Sequence, residues 1–141
     1  MPYDRETLRR IARTRLVEAR CLRDADEPSG AYYLAGYAVE CALKARIAGE
    51  FRENEIPERK FLNDIYTHDL TTLVDLAGLK SELETAMQAD VGLQQKWAVI
   101  RKWSEQARYR IWTKGEASAM IVAVGGDINE EGLFQWLTGR W

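Results

Sequence analysis

Apolar residues return every three or four positions from Thr7 to Leu22, where Leu8, Ile11, Ala12, Ala19 and Leu22 share one side and charges fill the rest. The spacing predicts a first helix with one buried stripe. The string DADEPSG ends it, because Pro28 and Gly30 are poor helix-interior residues, and Ser29 offers a cap for a new helix. That second helix is expected from about Ala31, through AYYLAGYAVECALKARIAG. It is apolar or small at nearly every position through Leu43, so it should be buried on most sides at the centre of a bundle. From about Glu50 to Tyr66 the pattern is charged, contains Pro57 and lacks a period, which reads as a long connecting loop.

Thr67 is the expected N-cap of a short helix through HDLTTLVDLA, with Asp69 placed for the helix dipole and Gly78 as the stop. Ser81 and Glu84 form a capping-box pattern for the next segment. Asp90 and Gly92 interrupt it before a longer helix through LQQKWAVIRKWSEQARYRIW, whose inner face should carry Leu93, Trp97, Ile100, Ser104 and Ala107. The tail is helical at EASAMIVAV, halts at Gly125 and Gly126, and resumes weakly in NEEGLFQWLTGRW. No strand alternation or internal repeat competes with these periods. The fold class expected is therefore all-α, as one domain over residues 1–141.

A chain of 141 residues can close one hydrophobic core without disulfides or metal. The opening MPYDRETLRR has no apolar run suited to a signal peptide or a membrane span, which points to the cytoplasm and to no membrane partner. Cys21 and Cys41 show no metal-ligand spacing and are expected as reduced core thiols. A single His makes zinc sites built on several His or Cys residues untenable, and no metal or cofactor is expected. Five Trp and an apolar tail suggest surplus hydrophobic surface, hence a homodimer. The net charge of -2 hides two basic stretches: seven Arg in residues 1–23, and six Lys or Arg against Glu105 alone in residues 96–114.

Candidate chemistry gathers on the second helix, where Tyr33, Tyr37, Glu40 and Lys44 fall on one narrow stripe of an otherwise apolar cylinder. A buried Glu40 needs a cation or several donors. Arg15, at a core-facing position of the first helix, is the expected partner; a plain structural pair, or a Glu40–Lys44 surface bridge, is the simpler alternative. His68 is the one side chain whose normal titration suits proton transfer near neutrality, although in THDL it fits equally well as a residue that bonds the chain and orients the preceding loop. Arg108 and Tyr109 could clasp a phosphate or carboxylate, or serve as scaffold against the Trp97 face. Arg5, Arg9, Arg13 and Arg20 form a basic stripe on the first helix, which reads as a solvated face or a nucleic-acid surface.

The strings AYYLAGYAVECALKARI, YTHDLTTLVDLAGL and WSEQARYRI, with the closing GLFQWLTGRW, resemble small bacterial HEPN-domain proteins over most of the chain. The resemblance implies an antiparallel, up-and-down bundle of four or five helices. It also implies a frequent homodimer and an association with toxin–antitoxin or defence systems beside a nucleotidyltransferase partner. Many relatives are metal-independent ribonucleases, carrying an Arg followed four to six residues later by a His on one helix. That motif is absent here: the nearest Arg before His68 is Arg59, nine residues upstream across loop sequence. The function expected is accordingly a non-catalytic HEPN module that binds a nucleotide, RNA or a partner protein through Arg15, Tyr37, Glu40, His68, Arg108 and Tyr109. The alternatives are a ribonuclease toxin in which folding brings His68 to Arg108, and a purely structural partner subunit.

Overall fold

The structure, a computed structural model, describes residues 4–141. The first helix, α1 (Arg5–Asp24), starts where the Asp4 carboxylate accepts the Thr7 amide at 2.7 Å and so satisfies one of the unpaired N–H groups of the first turn. Its buried stripe is Leu8, Ala12, Leu16 and Ala19. The second helix, α2 (Pro28–Ala48), begins three residues earlier than its apolar pattern, because a proline at the first helical position has no N–H to lose and a preset φ. Ser29 does not cap it; its hydroxyl accepts the Trp112 amide at 2.9 Å instead.

Twelve residues of α2 are buried, and it packs on α1 and on the α4, α7 and α8 helices and the 3-10 turn that follow, as expected of a central rod. Ala31, Ala35, Gly36, Ala38, Ala42 and Ala45 keep its surface narrow so that neighbours approach closely, while Val39, Leu43 and Ile47 supply bulk. Each fully buried side chain of that size contributes about 1.5–3 kcal/mol of transfer free energy.

The expected loop from Glu50 to Tyr66 is only partly irregular, since residues Arg59–Asp64 form α3, from which Phe61 meets Phe51 at 5.6 Å. In α4 (Leu70–Leu76) the cap is Asp69, whose carboxylate accepts the Thr72 amide at 2.8 Å; Thr67 accepts the Asp69 amide at 3.2 Å one step outside the helix. Gly78, at φ +70, closes that segment in the left-handed region. The Ser81–Glu84 box does not form: α5 (Lys80–Ala89) opens at Leu79 without a side-chain cap, which leaves Ser81 inside the first turn. Asp90 then ends α5 and caps α6 (Val91–Ile100) through the Leu93 amide at 3.2 Å.

The long helix expected from Leu93 to Trp112 stops at Ile100. A tight 3-10 turn over Glu105–Tyr109 comes next, capped by Ser104, and the chain then runs extended to Thr113. Ser104 is exposed, and Trp103 takes the inner place expected for it at 3% exposure. The Trp103 indole lies flat against Gly36, where any Cβ would overlap the ring, and its Nε1 donates to the Tyr33 carbonyl at 3.1 Å. Trp112 stacks on Tyr32 at 3.5 Å. The turn is thus fastened to α2 by two indoles.

A complete Thr113–Glu116 capping box starts α7 (Lys114–Gly125), and Gly126 at φ +75 ends it. The Gln135 side chain ties the start of α8 (Leu133–Thr138) to the end of α7, accepting from the Gly132 amide and donating to the Gly125 carbonyl, both at 2.8 Å. The described residues hold eight α-helices and no strand, so they are all-helical; the count exceeds the four or five that the resemblance implies, and it exceeds the helical segments read from the periods by α3, which lies in the segment read as a loop. No described helix is long and apolar enough to cross a membrane. Trp97, Trp103 and Trp141 are buried and Trp112 and Trp136 half-buried.

Candidate functional site

The polar stripe of α2 is present as the spacing requires. Tyr33 and Tyr37 stack at 6.1 Å, and one turn further Glu40 meets Lys44 at 3.4 Å. Glu40 is 3% exposed, the one charged residue among the buried set, so its pairing decides whether the helix can sit where it does.

Its main partner is His68. The residue arrives on the segment between α3 and α4 and places Nδ1 at 2.7 Å from Glu40 Oε1. On the other side of the ring, Nε2 lies 3.2 Å from Glu105 Oε2, on the 3-10 turn. A carboxylate oxygen only accepts, so Nδ1 donates in the hydrogen bond to Glu40, while the Nε2–Glu105 contact is a close approach without hydrogen-bond geometry. The resulting chain Lys44–Glu40–His68–Glu105 joins α2, the α4 approach and the 3-10 turn. His68 therefore meets side chains of two distant elements rather than its own loop.

Arg15 does not take part in this chain. It pairs with Glu18 at 2.5 Å, one turn along α1, because the flexible guanidinium reaches a half-exposed carboxylate without giving up its hydration. The Arg15–Glu40 pair is thus replaced by Arg15–Glu18, and the Glu40–Lys44 bridge is real but buried at its acidic end.

Tyr37 turns its hydroxyl toward Cys41, and burial, reinforced by Cys41 and Glu40, pushes its pKa up to about 12. Burial, with Glu40 next, pushes the Cys41 thiol up to about 11. Both groups are kept protonated and unreactive. Their unfolded-state values lie lower, so the stability they contribute is complete below those values and is lost as pH rises. From the ordinary thiol value of 9.0 to about 11, Cys41 alone should remove up to roughly 2–3 kcal/mol. Urea unfolding between pH 8 and 11 measures this, and Cys41→Ala should flatten the first part of the decline. Cys41 is a core thiol as expected, whereas Cys21 is exposed; both are free.

At the outer end of the stripe stands Arg108. It lies over the Tyr109 ring at 4.9 Å, not against Trp97, and the nearby phenol oxygens of Tyr109 and Tyr33 hold its pKa above the usual arginine value. It makes no ion pair among the described residues, unlike Arg110, which meets Glu116 at 3.3 Å, and Lys114, which meets Asp26 at 3.0 Å. Tyr109 is 74% exposed. Folding thus brings Tyr33, Tyr37, Glu40, His68, Arg108 and Tyr109 to one side of α2 and leaves Arg15 apart.

Two members went unrecognised as site residues in the sequence. Glu105 could have been suspected as the lone acid in a basic stretch, while Trp103, which sets the turn on Gly36, has no local signal. Clefts of about 530, 330 and 300 Å³ open elsewhere, and none is lined by Glu40, His68 or Arg108. No group of three or more His, Cys, Asp or Glu among the described residues is placed to hold a metal ion. Comparison of the chain with protein families, with curated proteins and with solved structures gives no match.

Proposed function

We propose that this chain is a non-catalytic, HEPN-like module that binds single-stranded RNA at the outer end of the α2 stripe. The observation that carries the reading is Arg108: a fully charged guanidinium with no carboxylate partner, held beside the exposed ring of Tyr109. A cation for phosphate beside a flat aromatic face for a base is the combination that sequence-tolerant RNA binding uses. Arg101 and Lys102, exposed in the same basic stretch and likewise unpaired among the described residues, add to the attraction.

His68 is assigned a positioning role because both ring nitrogens already face carboxylates. A general base needs a nitrogen free to meet the proton that it removes. The homodimer and the nucleotidyltransferase-type partner that accompany the HEPN resemblance rest on that resemblance alone.

Fluorescence anisotropy with a labelled uridine 12-mer tests the reading. Arg108→Ala should weaken binding about tenfold, near 1.4 kcal/mol, and Tyr109→Ala by a similar factor through lost stacking. Affinity should also fall linearly in log–log form as salt rises. Equal affinity in both variants refutes the site. Cleavage of the 12-mer that disappears in His68→Ala replaces it with the ribonuclease reading, and neither binding nor cleavage leaves the structural-subunit reading.

A further inference from the structure

The basic stripe of α1 is engaged by Trp141, just past the end of α8, although Arg5 and Arg13 stay exposed and Arg9 is half-buried. Arg5 Nη2 donates to the Trp141 backbone oxygen at 2.7 Å, and Arg9 Nη2 donates to the same oxygen. The Arg13 guanidinium lies 4.6 Å from the centre of the Trp141 ring and that of Arg9 lies 5.6 Å from it. The ring meets Phe134 edge-on at 5.6 Å and is 9% exposed. Just before it, Arg46 Nη1 holds the Arg140 carbonyl at 2.7 Å. Arg20 leaves the stripe altogether, donating to the Gly125 carbonyl at 3.1 Å.

Three guanidinia are therefore gathered by one main-chain oxygen and one ring, and the side-chain carboxylate paired with them is Glu6, 3.7 Å from Arg9. Arg5 and Arg13 form no ion pair among the described residues. Oxygen lone pairs and a ring face offset only part of three positive charges held side by side. Four residues of helix rise about 6 Å, so the three side chains are rooted at that interval along α1 and, once released from Trp141, can reach successive phosphates.

We infer that Arg5, Arg9 and Arg13 form a second surface for a nucleic-acid phosphate backbone, its guanidinia engaged by Trp141, so that the tail and the nucleic acid compete for the same three groups. The surface shares no residue with the Arg108 site and does not depend on it.

The test uses the labelled uridine 12-mer and protein carrying Arg108→Ala, which removes the other site. Deleting Trp141 should tighten binding at least about fivefold at about 50 mM salt. It should also steepen the slope of log K against log salt by about 2, since each single-strand phosphate contact contributes roughly 0.7. Adding Arg9→Gln and Arg13→Gln should cancel both changes. Trp141→Leu keeps an apolar group on Phe134 while removing the ring face, and should give a smaller gain of the same sign. It decides the matter if circular dichroism shows that the shortened chain is unfolded. A folded variant with unchanged affinity and slope overturns the inference, whereas Arg108→Ala with the tail intact reports on the other site alone.

Discussion

Trp103→Ala should lower the free energy of unfolding by about 3–5 kcal/mol, the range for emptying a large aromatic site in a core. The indole is 3% exposed, fills the space that Gly36 leaves on α2, contacts Tyr33 at 5.8 Å between ring centres, and donates a hydrogen bond to the Tyr33 carbonyl. Nothing else nearby can collapse into that volume without dragging the 3-10 turn along. Guanidinium unfolding measures the loss, and a change below about 1 kcal/mol would show that the turn is held by other contacts. Because Glu105, Arg108 and Tyr109 ride on the same turn, the variant should also weaken RNA binding, whereas a substitution that only thins the core elsewhere should not.

Glu40→Ala should cost about 2–3 kcal/mol. Removing one member of a fully buried ion pair typically costs 3–5 kcal/mol, but here the partners reach water, with side-chain exposures of 22% for Lys44 and 42% for His68, and can partly rehydrate. Glu40→Gln should cost less, since an amide oxygen still accepts from His68. A double-mutant cycle with His68→Ala should show positive coupling, because the two side chains share one bond. Strict additivity would mean that the 2.7 Å contact contributes nothing. Arg15→Met, by contrast, should change stability by less than about 1 kcal/mol, as fits a pair at the surface with Glu18.

Legibility in the sequence depends on how far each determinant acts along the chain. The extents of α1 and α2 follow the local period and were legible to within a few residues, whereas the Asp4 cap and the role of Pro28 as the first helical residue were not read. The break after Ile100 was not: every residue from Gln94 to Trp112 tolerates a helix, and what ends it is Trp103 seated on Gly36, 67 positions earlier in the chain. The α3 segment RKFLND escaped for the opposite reason, being too short to show a period. The α2 stripe, and the need for a partner at Glu40, came from spacing and desolvation alone. The identity of that partner did not, because helix phase pointed to Arg15 while the segment before α4 delivers His68, and no periodic argument covers a connecting segment.

The grip of Arg5 and Arg9 on Trp141 joins residues 136 and 132 positions apart. Closing so long a loop is entropically the most demanding step of assembly, whereas α1 and α2 meet across a short turn. The tail is expected to dock after the helical hairpin has formed, so weakening it should accelerate unfolding while leaving the refolding rate almost untouched. By the same reasoning the last element to arrive should be the first to detach in transient openings of the native state, so the α1 arginines would lose their Trp141 contacts from time to time without global unfolding.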